Sequence, residues 1–334
     1  GDVLDGTDGF IFNPTASDLI GAITIPEDVN GDGIINAEEL GTDGVFEAQV
    51  ALGTDAVVGN VITVNGTPYT VTQADIDAGF LTATIAVAAD GEVAIRAEAR
   101  DAAGNVDVAD TTVQVITVDT TAPATPAAPT SYADNVGDIQ NPASTAVTTD
   151  DRTPGLNIGG GLTDTPTLYV DGVAVDAVYD PLTGTLTPTV PLSPGEHQLS
   201  YTLTDAAGNE SAQSPALTLT VDTTAPTLTI TSSDLELGAG ETSTITFQFS
   251  EDVAGFTASD VVVAGGTLSN FVQVDANTWT ATFTQSGTAA PSISVANGAY
   301  SDAAGNAGIG DVLDGTDGFI FNPTASDLIG AITI

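Results

Sequence analysis

The fold is decided by stretches such as residues 193–211, SPGEHQLSYTLTDAAGNES, in which a strand pattern runs into a turn. From its histidine to its last leucine, large side chains alternate with Gln, Ser and Thr, which is typical of a half-buried β-strand. The same alternation recurs at 244–249 and 278–283, and the best helix candidate is the short segment 72–79. The sequence therefore predicts an all-β protein.

Two levels of repetition divide the chain. Residues 1–25 recur without change at 310–334, which is 309 residues later. Within that period the string DAAGN occurs three times and DTTAP twice, at spacings close to the roughly 100 residues of a seven-stranded β-sandwich.

We therefore expect tandem β-sandwich modules of immunoglobulin-like size in an extended linear array that is part of a longer tandem repeat. The expected parts are a tail or linker of the preceding repeat at 1–19, three modules at 20–123, 124–225 and 226–309, and the start of the next repeat at 310–334.

Charge and composition exclude several functions. The chain has 45 carboxylates against three Lys plus Arg residues, a net charge of −42, and no cysteine. Nucleic acids and anionic membrane surfaces need a basic patch that is missing here, and thiolate metal sites and disulfides are impossible. No apolar run is long enough to insert into a membrane. We expect neutral or cationic partners, with metal cations first, and no small-molecule substrate.

The motif with the most matching positions is DVNGDGIINAEE at 28–39. A twelve-residue calcium loop needs oxygen ligands at positions 1, 3, 5, 7, 9 and 12 and glycine at position 6, which is Gly33 here. Pro26 precedes the loop and a β pattern follows Leu40, so paired EF-hand helices are not expected and the site is predicted to be a structural clamp. An Asp-rich turn that binds no ion is the alternative. The predicted ligands are Asp28, Asn30, Asp32, the carbonyl of Ile34, Asn36 (through water) and Glu39.

A second set of candidate ligands lies at the predicted module ends. In at least the first two modules the DAAGN string follows a strand pattern, and each DTTAP string ends a last strand before a linker, so a hairpin would bring their aspartates near each other. Turn formation alone explains these residue types, and a calcium ion shared by the carboxylates is the alternative. The candidates are Asp101, Asp205 and Asp302 from DAAGN, Asp119 and Asp222 from DTTAP, and Asp134, Asp150 and Asp151 from the second module.

The end of the third predicted module departs from this scheme, because no DTTAP follows it. Asp311, Asp314 and Asp317 stand there at spacings of three. An oxygen-rich loop and a solvated linker both fit, and the linker is favoured because this spacing matches no ligand pattern.

Catalytic patterns are weak. His197 is the single histidine and its alternation places it on a strand face, where a structural role is favoured over a general base. No G-x-S-x-G motif is present, and no carboxylate pair is distinguished from the rest. Trp279 lies at a core-type strand position, which indicates packing rather than a sugar-binding platform. The sequence therefore predicts a protein that is not an enzyme.

The combination of DAAGN, VDTTAP, TVTQADIDAG and DVNGDGIINAEE resembles bacterial immunoglobulin-like modules of giant surface adhesins of the repeats-in-toxin and biofilm-associated types. Residues 130–226 and 227–306 resemble two different subtypes. The resemblance implies extender segments with calcium at the module junctions, as partners calcium ions and neighbouring identical repeats, and a location on the cell surface. By this resemblance Asp28, Asn30, Asp32 and Glu39, and also Asp101, Asp119, Asp205 and Asp222, correspond to calcium ligands.

The resulting hypothesis is a calcium-rigidified stalk segment that projects a distal adhesion domain for attachment or biofilm formation. A ligand-binding or glycan-binding adhesin module is the alternative, and a polysaccharide-acting enzyme is a further one.

Overall fold

The computed structural model describes residues 18–100 and 111–323. Contacts divide the chain into two compact units, Gly1–Ala124 with Leu203–Ser211, and Thr125–Thr202 with Ala212–Ile334. Within the described residues, strands dominate, and helical structure is limited to two α-helices of four and six residues and a short 3-10 turn, so the all-β prediction is confirmed. None of these helices has the length and hydropathy needed to cross a membrane.

The first unit contains one β-sandwich built from two sheets. One sheet has the order β1-β3-β6 and the other the order β2-β8-β7-β4-β5. Alternate residues of β3 point inward, so that Phe46, Ala48 and Val50 are fully buried between the sheets. The elements are β1 Ile20–Thr24, β2 Ile34–Ile35, α1 Ala37–Leu40, β3 Val45–Leu52, β4 Val61–Val64, β5 Thr67–Thr70, α2 Gln73–Ala78, β6 Phe80–Ala86, β7 Gly91–Arg100 and β8 Thr111–Val118.

Helix α2 lies where the sequence predicts a helix. Thr72 caps its first turn in a reciprocal capping box with Asp75, which satisfies N–H groups that a helix start leaves free. Gly79 ends it with φ of 80°, a left-handed conformation that glycine adopts without steric cost. The prediction for 72–79 is confirmed.

The second unit begins with a sandwich of two five-stranded sheets, β10-β9-β12-β16-β15 and β11-β18-β17-β13-β14. Strand β17 carries the alternation quoted above, but Ser200 and Thr202 on its polar face are also buried. The reason is that residues 211–214 run beside it, where Ser214 Oγ accepts from the Tyr201 N–H at 3.1 Å. The strands are β9 Tyr132–Asp134, β10 Asn141–Ser144, β11 Thr148–Thr149, β12 Gly155–Asn157, β13 Thr165–Val170, β14 Val173–Val175, β15 Ala177–Asp180, β16 Thr185–Pro188, β17 Gly195–Thr204 and β18 Leu217–Val221.

A second sandwich of the same unit follows, with sheets β19-β21-β24-β23, β22-β25-β26 and β20-β27. The predicted alternation in β24 is confirmed, because Trp279, Ala281 and Phe283 are buried. Trp279 packs edge-on against Phe249 and Phe256, so its predicted packing role is confirmed too. The strands are β19 Leu228–Ser232, β20 Glu236–Leu237, β21 Thr242–Phe249, β22 Val261–Ala264, β23 Gly266–Asp275, β24 Thr278–Gln285, β25 Ser292–Val295, β26 Asp311–Leu313 and β27 Ile320–Phe321.

This last sandwich continues beyond the predicted boundary at residue 309. Strand β26 pairs antiparallel with β25, and β27 pairs in parallel with β20. Leu313 and Phe319 fill its core, with Phe319 fully buried. Residues 311–321 are therefore strand, turn and strand of this module, and the expected solvated linker at this place is wrong. The spacing of its aspartates gives no indication that Leu313 and Phe319 are buried.

Candidate cation-binding sites

The loop at 28–39 folds into the compact turn that its sequence predicts. Asp28 Oδ2 accepts a hydrogen bond from the Gly33 N–H at 3.2 Å, and Asp32 Oδ1 accepts from the Ile34 N–H at 2.7 Å. Gly33 has φ of 82°, a conformation that suits glycine. The loop therefore has its sharp turn at position 6.

A strand of the sandwich holds the far side of this loop. Ile35, at position 8, is fully buried and lies opposite Val118 in a parallel pairing with β8. The Asp119 N–H donates to the Ile35 carbonyl at 3.0 Å. The loop is entered from β1 and left through the four-residue helix α1, so the expectation that paired EF-hand helices are missing is confirmed.

The side chains at positions 9 and 12 of the loop accept hydrogen bonds from backbone N–H groups. Asn36 Oδ1 accepts from the N–H groups of Glu38 and Glu39 and thereby caps α1. Glu39 Oε2 accepts from the Asn36 N–H at 3.1 Å, and its Oε1 accepts from the Val29 N–H at 3.2 Å. The Glu39 carboxylate is thus turned toward the start of the loop.

Two carboxylate oxygens at the entrance of the loop are buried without a hydrogen-bond partner, Asp28 Oδ1 and Glu27 Oε2. The other oxygen of Glu27 accepts from the Glu47 N–H at 2.9 Å. Buried oxygens without a donor are unfavourable unless a cation or water reaches them, so this donor set fits a cation that prefers oxygen ligands. Sequence analysis missed Glu27, because it precedes the twelve-residue pattern.

The second DAAGN string forms the turn that its residues predict, and by its contacts it belongs to the first unit. Asp205 Oδ1 accepts from the N–H groups of Ala207 and Asn209, each at 2.9 Å. Gly208 has φ of 93°, outside the range that other residues adopt easily. Asp205 is therefore engaged in holding its own turn.

The same turn lies against the end of the calcium-type loop. Asn209 Nδ2 donates to the backbone carbonyl of Asp119 at 2.9 Å, and its Oδ1 accepts from the Ala37 N–H at 2.9 Å. Asn36 Nδ2 donates to the Ala207 carbonyl at 3.0 Å. Asp119 thus meets the DAAGN turn that follows it in the chain. The hairpin return of Asp119 toward Asp101 involves a residue outside the described ranges.

The third DAAGN turn repeats this arrangement inside the second unit. Asp302 Oδ1 accepts from the N–H groups of Ala304, Gly305 and Asn306 at 2.8 to 2.9 Å. Asn306 Nδ2 donates to the backbone carbonyl of Asp222 at 2.9 Å. A further bond runs from the Asp150 N–H to the Ala304 carbonyl at 3.1 Å.

Three carboxylates converge beside this turn. Asp222, Glu251 and Asp302 each offer one oxygen, and the three oxygens lie within 4.8 Å of one another. Within residues 18–100 and 111–323 this is the one such group, so the loop carboxylates at 28–39 do not meet the same limit. Burial, followed by the negative charges of Asp302 and Asp222, raises the pKa of Glu251. The ion pairs of Arg96 with Glu98 and of His197 with Asp171 do not involve this group.

The structure thus brings together Asp222 and Asp302 from the predicted ligands and adds Glu251, which sequence analysis missed. Glu251 lies two residues beyond the end of β21. A carboxylate at a strand end was the available signal, but the chain has many of them. The prediction that a hairpin returns Asp222 to Asp205 is wrong. Strands β17 and β18 are antiparallel, with Val221 opposite Gly195 at the start of β17, whereas Asp205 follows the end of β17.

The three second-module candidates have different surroundings. Asp134 Oδ2 accepts from Thr149 Oγ1, fifteen residues along the chain, at 2.7 Å, and Asp151 Oδ1 accepts from the Thr153 N–H of its own turn at 2.7 Å. Asp150 is 9 % exposed, and its Oδ1 has no hydrogen-bond partner. Burial, followed by the charges of Asp134, Asp151 and Asp302, raises the pKa of Asp150. Asp150 is therefore the member of this trio with a free oxygen for a cation.

His197 is held between two acceptors. Its Nδ1 lies 2.7 Å from Asp171 Oδ2, and its Nε2 lies 2.9 Å from the Ser193 carbonyl. An imidazole with an acceptor at each nitrogen is best satisfied when both nitrogens carry protons, which leaves no lone pair for a general base. The predicted structural role fits this geometry.

Comparison with known proteins identifies the class. Residues 128–223 and 222–316 match two family models that are each described as a bacterial Ig-like domain. The chain is therefore built from bacterial Ig-like domains over these residues, which confirms the bacterial immunoglobulin-like part of the resemblance drawn from the sequence. No curated protein is similar enough to count as a match.

Several solved structures are similar to this chain at low sequence identity. The fibronectin(III)-like modules of Clostridium thermocellum CbhA are 15% identical over 60% of this chain and 94% of theirs, with a TM-score of 0.35. The Escherichia coli adhesin FdeC is 15% identical over 82% of this chain and 92% of its own, with a TM-score of 0.28. A tetra-tandem repeat from the extending region of a large adhesion protein is 18% identical over 81% of this chain and 70% of its own, with a TM-score of 0.21.

Proposed function

We propose that this chain is a structural extender segment of a bacterial surface adhesin, and that Ca²⁺ rigidifies it. The observation that carries the proposal is the group formed by Asp222, Glu251 and Asp302. Asp222 ends one Ig-like domain, and the other two carboxylates belong to the next domain, so an ion held by all three would join the two domains.

The donor set suits calcium. Ca²⁺ prefers several oxygen ligands, mainly carboxylates and carbonyls, and tolerates irregular geometry. Asp222, Glu251 and Asp302 would hold one ion. Asp150 lies beside the same turn and has a buried Oδ1 without a hydrogen-bond partner, but it is outside this group of three. In the first unit, Asp28, Asn30, Asp32, the Ile34 carbonyl, Asn36 and Glu39 would hold another. The ion supplies positive charge that cancels the repulsion between the carboxylates.

The physical effect is stabilisation of the joined form. Like charges held a few ångströms apart repel each other, and a net charge of −42 adds a general tendency to expand. An ion that binds the ordered junction alone stabilises it by about 2.7 kcal/mol at a hundredfold excess over its dissociation constant. Extracellular calcium modules typically bind near 10⁻⁴–10⁻³ M, so the rigidity would follow the surroundings of the cell.

The proposed location is therefore the cell surface, where calcium is abundant, and the proposed neighbours are further copies of the same repeat. Trp279, the single tryptophan, lies in the core and therefore offers no platform for a glycan. We propose no catalytic activity, since His197 is engaged at both ring nitrogens.

The test compares the full chain in millimolar CaCl₂ and in EDTA by small-angle X-ray scattering and calorimetry. Calcium should lower flexibility and raise the melting temperature, and MgCl₂ at the same ionic strength is the control for screening. Identical scattering and melting curves in calcium and EDTA would refute calcium rigidification.

A further inference from the structure

We infer that the end of loop 28–39 is a docking surface for turn 205–209, and that calcium in the loop and packing of the turn strengthen each other. The inference rests on the proposed calcium binding of this loop and adds what the loop controls. In a free-standing calcium loop, residues at the exit only start a helix. Here the exit residues also hold a distant turn of the same unit.

The contact uses three side-chain hydrogen bonds in a closed arrangement. Asn36 donates to the Ala207 carbonyl at 3.0 Å, and Ala37 donates its N–H to Asn209 Oδ1 at 2.9 Å. Asn209 in turn donates to the Asp119 carbonyl at 2.9 Å. Ala207 and Asn209 are 3% and 5% exposed, so the turn side of this contact is buried, and the three bonds are partly buried.

The same residues are tied to the ion-binding side of the loop. The Asp119 N–H donates to the carbonyl of Ile35, the residue next to Asn36. Asn36 Oδ1 accepts from the Glu39 N–H, and the Glu39 carboxylate returns the bond to the Asn36 N–H. An ion that fixes the Glu39 side chain would therefore also fix Asn36. The Nδ2 of Asn36 is the group that donates to the Ala207 carbonyl of the turn.

Close approach adds a steric requirement. A Cβ placed on Gly208 would lie 3.2 Å from Asn36 Nδ2, so the turn fits the loop because this residue is glycine. Two sites that share such contacts are linked reciprocally. If calcium binding stabilises the packing of the turn, packing of the turn must raise the affinity for calcium by the same factor.

The turn at 302–306 supplies the matched control. Its Ala304 carbonyl is held by the Asp150 backbone N–H at 3.1 Å instead of by a loop asparagine. The two turns have the same five residues, but one of them is coupled to loop 28–39.

The experiment is hydrogen–deuterium exchange of the full chain, read in peptic peptides that cover 28–40, 203–211 and 300–308, across a CaCl₂ titration. In the wild type, peptides 28–40 and 203–211 should become protected with the same calcium midpoint. In Glu39→Gln, calcium-dependent protection should be lost from both. In Asn209→Asp, which keeps the acceptor but removes the donor, the midpoint of peptide 28–40 should rise about three- to tenfold, the factor that one hydrogen bond represents. Asn306→Asp, the same change in the control turn, should leave that midpoint in place.

The outcomes separate the two claims. If calcium protects peptide 28–40 and not 203–211, the loop binds calcium and the coupling is overturned. If calcium-dependent protection of 203–211 survives in Glu39→Gln, or Asn209→Asp leaves the midpoint of 28–40 unchanged, the coupling is also overturned. If peptide 28–40 shows no response to calcium in the wild type, calcium binding by this loop fails, and the coupling fails with it.

Discussion

The side-chain amide of Asn306 donates a hydrogen bond to the backbone carbonyl of Asp222 at 2.9 Å. The amide of Asn209 makes the same bond to Asp119, also at 2.9 Å. In both cases the last residue of DAAGN reaches the first residue of the preceding DTTAP. Part of each junction is therefore a neutral hydrogen-bonded lock that needs no ion, and the carboxylates beside it are a separate, charge-dependent part.

Removal of this lock should destabilise the third module even when calcium is absent. Asn306→Ala deletes the bond to Asp222 and a second bond to Asp302 Oδ2 at 2.8 Å, so we expect a loss of about 1–3 kcal/mol in the free energy of unfolding. Asn306→Asp should cost more, because its carboxylate faces that of Asp302. The measurement is urea unfolding in EDTA, followed by the fluorescence of Trp279, the single tryptophan. A loss below about 0.5 kcal/mol for both variants would contradict the lock.

The Glu251→Gln substitution tests the charge-dependent part, because its effect on the free energy of unfolding should have opposite signs in EDTA and in CaCl₂. The pKa of Glu251 is raised by burial and by its acidic neighbours, so its charge opposes folding at neutral pH. In EDTA the glutamine variant should be more stable than wild type, by up to about 1 kcal/mol. In excess CaCl₂ the order should reverse, because one ligand is gone. Asp252→Asn, a change at the exposed neighbouring residue, is the control for net charge. Equal stability shifts in the two buffers would rule out Glu251 as a ligand.

The sequence was sufficient for the alternating strands at 197–203, 244–249 and 278–283 and for helix α2. It was insufficient for strands β26 and β27 and for the pairing of the acidic residues. Alternation in β21 and β24 follows from the burial of one sheet face, which is a local property. The contact of Asp222 with Asn306 joins residues 84 apart, and nothing local encodes it. For this reason the sequence predicts that each DTTAP lies near the DAAGN before it. In the structure each DTTAP aspartate instead accepts a hydrogen bond from the DAAGN that follows it.

The same limit explains the missed residues. Glu251 and Glu27 are single carboxylates among 45, and only their burial beside other acids or without a donor distinguishes them. Phe319 lies in a stretch that a charge pattern alone marks as exposed, yet its ring packs on Phe283 with centroids 5.2 Å apart. Burial is a tertiary property, so one sequence without three-dimensional information cannot rank equivalent residues.

Gly305→Ala tests the close fit of the third DAAGN turn. Gly305 has φ of 103°, and a Cβ there would lie 3.3 Å from the Ile139 N and 3.4 Å from Asp150 Oδ1. Backbone strain and crowding should together cost about 1–3 kcal/mol in EDTA. Gly240→Ala is the matched control, since its φ is 83° and nothing lies within 4 Å of the added carbon. Unfolding followed by Trp279 fluorescence should show the larger loss for Gly305, and equal losses would mean that the turn is not tightly packed.

Phe319→Ala tests whether residues 311–321 are part of the third module. The side chain is fully buried, so its removal should cost about 3–5 kcal/mol and shift the Trp279 unfolding transition to lower urea. Val312→Ala, at a residue that is half exposed, should shift it by less than about 1 kcal/mol. An unchanged transition in Phe319→Ala would place this segment outside the cooperative unit.

His197 should give the second module a stability that depends on pH. Burial acts to lower the pKa of His197, but the hydrogen bonds to Asp171 and to the Ser193 carbonyl outweigh it, and the net shift is upward. The folded state therefore binds this proton more tightly than the unfolded state. The stabilisation is complete below the unfolded pKa of about 6.5 and is lost as pH rises through the folded pKa. Because Asp171 is half exposed, we expect about 1 kcal/mol. Calorimetry of His197→Gln and Asp171→Asn should show a deficit against wild type at pH 5.5 that shrinks by pH 8.5. A deficit that is equal at both pH values would mean that His197 acts through packing alone.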